Sequence, residues 1–345
     1  MLMLSTELLS DIKKRLTGNN HHVLLTSHAN PDGDAVGSLL GMFHYLKNKG
    51  VTVSAVLPNQ FPDFYGWMPG AEQVVIFEKE AKTAKRLIEE ATVIFSLDYN
   101  DFSRVGTMSD FLKNSQAYKI MIDHHPDPKE GFDVYYNTTE TSSTGELVYD
   151  FIGQMGDKER LDSNVAVALY VAIMTDTGSF SFSCNYPKTY RVTAELIEKG
   201  VDASKVHKLV YDNYSESRLR LMGFALSERM LVWNDLHVAV IYLTKEDLKR
   251  FNYKVGDTEG LVNYPLSIST VNVSVLITEK DRKIRLSFRS KGEFAVNEVA
   301  AKHFEGGGHK NAAGGYSYVS MEDTLKRLKD VLSLYKEKLD YKITY

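Results

Sequence analysis

The chain has 345 residues, 43% of them hydrophobic and 25% charged, with a formal net charge of −4. That length suits two domains with buried cores, and the composition excludes a wholly disordered or collagen-like chain. The net charge excludes bulk electrostatic capture of long nucleic acid.

The opening, MLMLSTELLSDIKKRL, lacks a signal-peptide layout. No apolar run approaches the roughly 18–20 residues that cross a bilayer, so no membrane association is expected. The single cysteine, Cys184, has no internal disulfide partner, which points to a cytoplasmic setting.

The first half alternates short strands with helices. His22–Thr26 reads as a strand, followed by a loop and a helical pattern through Val36, Leu39, Leu40, Phe43 and Leu46 that Gly50 stops. A strand is expected at Val51–Leu57, a helix at Lys82–Glu90, and buried strands at Thr92–Leu97 and Lys119–Ile122. Such alternation predicts an α/β fold with a mainly parallel sheet and helices on both faces. Helical patterns then prevail to about Val232, at Asp162–Met174, Lys188–Lys199 and Glu216–Leu231. Near Trp233 the texture changes. Leu236–Leu243, Val271–Thr278 and Ile284–Phe288 read as strands, and Met321–Leu339 as a closing helix. The expected organisation is an α/β domain over 1–190, a helical connector over 191–231 and a smaller α/β domain over 232–345. Between Val273 and Gly315 eight Lys/Arg face five acids, Asp281 and Arg282 among them, a net +3 that is either an anion-seeking patch or a solvated face.

Acidic and imidazole side chains gather where strands end. The first strand runs into Ser27-His28-Ala29-Asn30-Pro31-Asp32-Gly33-Asp34, the third ends at Asp98, and the next at Asp123-His124-His125. The helix at Asp162–Met174 runs into Thr175-Asp176-Thr177-Gly178. Ligands of open parallel sheets bind beyond the carboxyl ends of the strands, so these segments can converge on one site. A lone Asp after a strand is an ordinary helix N-cap, and Gly33 and Gly37 alone signal a turn. Together, however, the carboxylates would repel: two like charges ~4 Å apart cost about 4 kcal/mol at an effective dielectric of 20. Cations remove that cost. Carboxylates favour Mg²⁺ or Mn²⁺, added imidazoles shift the balance toward Mn²⁺, and a bridging carboxylate sets two ions ~3.5–4 Å apart. Ser142-Ser143-Thr144 reads as a helix cap before Gly145.

At these residues the sequence resembles the DHH phosphoesterase superfamily. His28-Ala-Asn-Pro-Asp32-Gly-Asp34 is similar to its first motif, Asp98 to its second, Asp123-His124-His125 to the signature that names it, and Asp176-Thr-Gly-Ser-Phe180 to its fourth. Phe304-Glu-Gly306-Gly307-Gly308-His309-Lys-Asn-Ala-Ala-Gly-Gly315 resembles the glycine-rich motif of the associated DHHA1 domain, and Leu286-Ser-Phe-Arg289-Ser290 its other segment. The resemblance spans almost the whole chain and is strongest to the short bacterial branch of oligoribonuclease (nanoRNase)/pAp phosphatases. It implies a DHH catalytic domain, a DHHA1 substrate-binding domain and two divalent cations, Mn²⁺ foremost and Mg²⁺ as the alternative. His28, Asp32 and Asp98 would hold one ion, and Asp34, Asp98, His124 and Asp176 the other. Of the catalytic pair, Asp123 would fix an imidazole by accepting its ring N–H and His125 would face the phosphate. Arg289, Ser290, Gly306, Gly307, Gly308 and His309 would bind substrate. Three successive glycines let backbone N–H groups approach an anion without Cβ obstruction. Arg104 either joins the phosphate or is a solvated helix residue.

The function so implied is hydrolysis of short oligoribonucleotides and pApA-type dinucleotides to mononucleotides, and of pAp to AMP. Short RNA or nucleotides are the expected partners, with a homodimer left open. The alternatives are a cyclic-dinucleotide phosphodiesterase or inorganic pyrophosphatase of the same superfamily, or a nucleotide-binding regulator without chemistry.

Overall fold

A computed structural model describes residues 2–17, 21–280 and 283–342; Asp281 and Arg282 of the basic stretch lie outside them. The chain divides into two compact units, Met1–Asn213 and Tyr214–Tyr345.

In the first unit the strands are β1 (His22–Thr26), β2 (Thr52–Leu57), β3 (Val75–Ile76), β4 (Val93–Leu97), β5 (Tyr118–Asp123) and β6 (Val134–Asn137). They form one sheet in the order β3-β2-β1-β4-β5-β6, every pair parallel. The helices are α1 (Thr6–Leu16), α2 (Gly33–Asn48), α3 (Phe77–Glu90), α4 (Ser109–Asn114), α5 (Thr144–Gln154), α6 (Ser163–Asp176), α7 (Pro187–Glu198) and α8 (Ala203–Tyr211). Strand side chains alternate between two apolar layers. Val23, Leu25, Phe95 and Ile122 pack with α2, α5 and α6, whereas Leu24, Ile94 and Met121 pack with α3 and α4. Burial on both faces explains why these strands read as continuous apolar runs. The chain leaves β1 toward one edge and returns to β4 at its other side, so the β1/β4 boundary is the point where strand order reverses.

Gly33 and Gly37 do more than signal a turn. With Gly41 they recur every fourth residue along one face of α2. A Cβ at Gly33 would lie 2.3 Å from Thr175 Oγ1, at Gly37 2.5 Å from the Ala168 carbonyl oxygen, and at Gly41 2.5 Å from Leu169 Cδ2. The stripe therefore brings the backbone of α2 onto α6. The start of α2 meets the end of α6, which carries Asp34 to the neighbourhood of Asp176.

The second unit holds β7 (Met230–Trp233), β8 (Val238–Leu243), β9 (Val273–Glu279), β10 (Ile284–Ser290), β11 (Gly307–His309) and β12 (Ala312–Ser317), with α9 (Glu216–Glu228), α10 (Lys245–Arg250), α11 (Val296–His303), α12 (Met321–Ser333) and α13 (Lys336–Leu339). Its sheet runs β11-β12-β10-β9-β8-β7 and is antiparallel except between β8 and β9.

Two sequence expectations are corrected here. The helix read to Leu231 stops at Glu228, because Met230–Trp233 pairs with β8 and tertiary pairing overrides helical propensity. The closing helix is interrupted between Ser333 and Lys336, where Tyr335 turns its ring onto Phe294, 5.8 Å away. The glycine run forms a hairpin, with Gly307–His309 pairing with Ala312–Gly314 around Lys310-Asn311.

Gly37→Ala should lower the stability of the first unit by about 1–3 kcal/mol, the usual cost of overpacking, because its new methyl meets backbone. Gly223→Ala, in α9 with nothing within 4 Å of its Cβ position, should instead raise stability by roughly 0.5–1 kcal/mol. Urea denaturation of both variants checks this; wild-type stability for Gly37→Ala would overturn the close-contact account.

Candidate metal centre

Four segments deliver side chains to the carboxyl end of the first sheet. After β1 the chain turns into α2, whose N-cap is Asp32: its Oδ1 accepts the Ala35 N–H at 3.1 Å, and Asp34 follows in the first turn. Asp98 immediately follows β4 with φ +62°, a left-handed conformation that costs free energy in a residue with a Cβ. Its own N–H is secured by the Ile122 carbonyl at 3.0 Å. Asp123 ends β5 and is followed by His124 and His125, while Asp176 ends α6.

These residues converge. Asp98 Oδ2 lies 3.3 Å from His28 Nε2, and Asp98 Oδ1 lies 3.6 Å from His124 Nε2, so the two oxygens of one carboxylate face two different imidazoles. Asp32 Oδ1 is 3.9 Å from His28 Nε2. Asp34 Oδ2 and Asp176 Oδ2 stand 3.7 and 3.6 Å from His124 Nε2. The donor atoms of His28, Asp32 and Asp98 all lie within 4.8 Å of one another, as do those of Asp34, His124 and Asp176. Each trio could hold a cation, with Asp98 between them. Asp34 and Asp98 are buried, whereas the Asp32 side chain is half exposed, so the cluster has an open side.

Ring orientations follow from the partners. His28 Nδ1 sits 3.0 Å from the Ala29 carbonyl, which can only accept, so Nδ1 carries a proton and Nε2 is the atom turned to the carboxylates, donating to Asp98 Oδ2 when the ring is charged. His125 Nδ1 lies 2.8 Å from Asp123 Oδ1 and donates to it. His125 Nε2 lies 3.3 Å from Arg104 Nη2, a donor only, and accepts. Asp123 is fixed in turn by the His125 N–H at 2.9 Å and by Asn137 Nδ2 at 3.2 Å. Asn100 Nδ2 donates to the carbonyls of His125 and Pro126. Asn137 and Asn100 were not singled out from the sequence. Their positions, at the end of β6 and two residues beyond Asp98, are the only hint it holds. Thr144, read as a cap, donates through Oγ1 to Asp98 Oδ1 at 2.9 Å.

The electrostatics show the strain of the grouping. Burial, then the charges of Asp98, Asp176 and Asp32, hold the Asp34 carboxyl well above the usual carboxylate range. Burial, then Asp98, pushes Asp123 up to about 6. Burial works against ionisation of Asp98 too, but its bond to His28 and the nearby His125 and His124 more than reverse that and hold it low. Oxygen and imidazole donors without a thiolate suit Mn²⁺ or Mg²⁺, so the residues present fit a pair of such ions.

In the second unit the register places Arg289 opposite Ala312 and Ala312 opposite His309. Arg289 and His309 therefore share one face of the sheet, two strands apart. On that face the next row is Ser287, Gly314 and Gly307. A Cβ at Gly307 would meet nothing within 4 Å, and at Gly314 only the Leu286 oxygen at 3.8 Å, so packing does not demand either glycine. Gly306 and Gly308 differ: their Cβ atoms would fall 1.9 Å from the Gly314 oxygen and 2.6 Å from the Ala312 oxygen. Ser290 points to the opposite, buried face, where its hydroxyl donates to the Phe294 carbonyl at 2.7 Å and accepts from Asn311 Nδ2 at 2.8 Å.

Residues 22–173 match the DHH family, N-terminal domain, and residues 235–338 match the DHHA1 domain. A probable bifunctional oligoribonuclease and PAP phosphatase NrnA of Streptococcus mutans is 27% identical over 313 residues, spanning 90% of this chain and 94% of its own length. The bifunctional oligoribonuclease and PAP phosphatase NrnA of Bacillus subtilis is 28% identical over 319 residues, spanning 91% and 95%. The crystal structure of an exopolyphosphatase-related protein from Bacteroides fragilis is 41% identical and superposes with a TM-score of 0.91 over 98% of both chains.

The raised carboxyls predict how the metal-free chain responds to acid. A carboxyl whose folded pKa exceeds its unfolded value of about 3.9 takes up a proton on folding, so stability grows as pH falls through the folded pKa. Asp34 and Asp123 act in this sense. So does His28, where burial opposes charging but Asp98 and Asp32 prevail and raise its pKa. In EDTA the melting temperature should therefore rise between about pH 8 and about pH 5.5, and saturating Mn²⁺ should flatten the rise. Thermal melts across that range measure it; a melting temperature that falls on acidification would overturn the account.

Proposed function

The chain belongs to the DHH family and carries a DHHA1 domain, and on that premise we propose that it is a two-metal phosphoesterase acting on short oligoribonucleotides. The proposed reactions are hydrolysis of short RNA and pApA-type dinucleotides to mononucleotides, and of pAp to AMP. The observation that carries the reading is Asp98, whose two oxygens face His28 and His124 at the point where strand order reverses. The two NrnA relatives, similar over about nine-tenths of the chain, support the substrate class.

In this reading His28, Asp32 and Asp98 hold one ion, and Asp34, Asp98, His124 and Asp176 the other. When bound, such a pair supplies Lewis-acid stabilisation of phosphoryl charge and makes water a nucleophile near neutral pH. The protein's own groups do the rest. Arg104 and His125 meet the phosphate oxygens. A phosphate oxygen at His125 Nε2 favours the imidazolium, which Asp123 supports from Nδ1. Arg289 and His309 stand in the row next to a floor of bare backbone at Gly307 and Gly314, open to a phosphate or a base. Ser290, together with Gly306 and Gly308, holds the hairpin that presents them. A net charge of −4 offers long RNA little grip on its backbone. No helix among the described residues is long and apolar enough to cross a membrane, and we place the reaction in the cytoplasm.

The test is hydrolysis, with Mn²⁺, of pAp, pApA, an RNA pentamer, a long RNA, pyrophosphate, tripolyphosphate and cyclic di-AMP. The first three should be consumed fastest, with mononucleotides released one at a time. Activity should vanish in EDTA and return best with Mn²⁺, and Asp98→Asn should be the most damaging ligand change because both ions lose a donor. Unimpaired hydrolysis by metal-stripped protein would overturn the two-metal reading, and rapid degradation of the long RNA would overturn the substrate class. The exopolyphosphatase-related structure favours a second reading, which preferential cleavage of tripolyphosphate would establish.

Gly307→Ala separates binding from chemistry, since its methyl has open space and the hairpin should fold unchanged. Its KM for pApA should rise roughly tenfold, equivalent to about 1.4 kcal/mol of binding, with metal content intact. An unchanged KM would remove the glycine floor from the site.

A further inference from the structure

The first turn of α5 is built into the acidic cluster. Thr144 N–H donates to Asp34 Oδ2 at 2.7 Å and Gly145 N–H to Asp34 Oδ1 at 2.9 Å. The next amide, Glu146 N–H, goes to Ser143 Oγ at 3.1 Å. Thus Asp34 takes the first two amides that the helix cannot satisfy internally, and the N-cap serine takes the third. The Thr144 side chain continues in the other direction, donating to Asp98 Oδ1 at 2.9 Å. One buried residue therefore touches a carboxylate from each candidate ion site.

That turn is itself anchored. Glu146 is buried, and its Oε2 accepts from Ser142 Oγ and Thr189 Oγ1, both at 2.7 Å. Its other oxygen lies 3.3 Å from Lys188 Nζ. A Cβ at Gly145 would lie 2.4 Å from Ala172 Cβ, so the turn is seated against α6 as well. Thr144 thus occupies a fixed point, whereas Asp98 stands on a left-handed backbone, its N–H held by the Ile122 carbonyl and its Oδ2 facing His28.

We propose that Thr144 is a positioning residue that fixes Asp98 relative to Asp34 and so sets the spacing between the two ions. This rests on the two-ion reading. The threonine proton occupies one direction at Asp98 Oδ1 and leaves that oxygen's remaining lone pair toward His124, with Oδ2 turned to His28. Without the hydroxyl, the carboxylate can rotate about χ2 and the bridge loses its register. Thr144 needs no contact with substrate, being buried behind the carboxylates.

The test compares wild type, Thr144→Ser, Thr144→Val and Thr144→Ala, all titrated with Mn²⁺ by calorimetry and by low-temperature electron paramagnetic resonance, which reports exchange coupling between paired ions. Near-ultraviolet circular dichroism identifies which of the valine and alanine variants is folded; both keep the backbone donor to Asp34. Wild type and Thr144→Ser should bind two ions and show the coupled spectrum. The folded hydroxyl-less variant should bind the second ion roughly 10–100-fold more weakly, as is typical on losing a group that orients a ligand, with the coupled signal diminished. Wild-type affinity and coupling in that variant would overturn the role of Thr144 alone. A wild-type chain that binds no ion pair would overturn the two-ion reading, and this inference with it.

Discussion

The first unit is organised around an unfavourable act: it assembles like charges where water cannot reach them. Asp34, Asp98 and Asp123 are 1%, 2% and 0% exposed. Each close pair costs about 4 kcal/mol at an effective dielectric of 20, before desolvation is counted. The available offsets are unequal. Amides at the start of α5 favour the Asp34 charge, but a helix terminus contributes at most about 2 kcal/mol. The imidazoles lower Asp98 at the expense of its neighbours, which remain raised. Neither removes the repulsion. Divalent cations would, and the donor atoms stand in two trios with a carboxylate between them.

Holding such a group together requires backbone, because flexible side chains would relax away. The unit does so by bringing helices closer than ordinary side chains allow. Gly33, Gly37 and Gly41 let α2 lie on α6, and Gly145 lets α5 lie on the same small residues. Ala172 is touched from both sides, at Gly37 and at Gly145. The three helices therefore meet at one seam, and Asp34, Thr144 and Asp176 are carried by its ends. The sheet supplies the remainder, since adjacent parallel strands end at Asp98 and Asp123. Overpacking anywhere along the seam would move these side chains together with the helices, which couples the stability of this unit to the geometry of the cluster.

How much of this was legible in the sequence depended on the range of the interactions involved. The strands β1, β4 and β5 and the acids at their ends could be read because burial on both faces leaves unbroken apolar runs. The glycine stripe could not be read as such, since its meaning lies in Ala168, Leu169 and Thr175, more than a hundred positions away. Thr144 has the pattern of a cap, and only the fold shows it bonded to Asp34 and Asp98. Met230–Trp233 has no helix-breaking residue before it, so its change to a strand depends on its pairing with β8.

The glycine-rich hairpin shows why a motif need not carry a single meaning at every position. Gly306 and Gly308 are held by the hairpin's own backbone, which a Cβ would strike. Gly307 and Gly314 face one another across the strands on the side shared by Arg289 and His309, and nothing inside the unit forbids a side chain there. Stability alone would favour alanine at such positions, because glycine loses more backbone freedom on folding. The bare pair of glycines lies one row beyond Arg289 and His309 and leaves backbone open on that face, which suits the proposed approach of substrate there. Under the proposed function, a planar base or a phosphate would use that access to backbone amides with Arg289 and His309 in the neighbouring row.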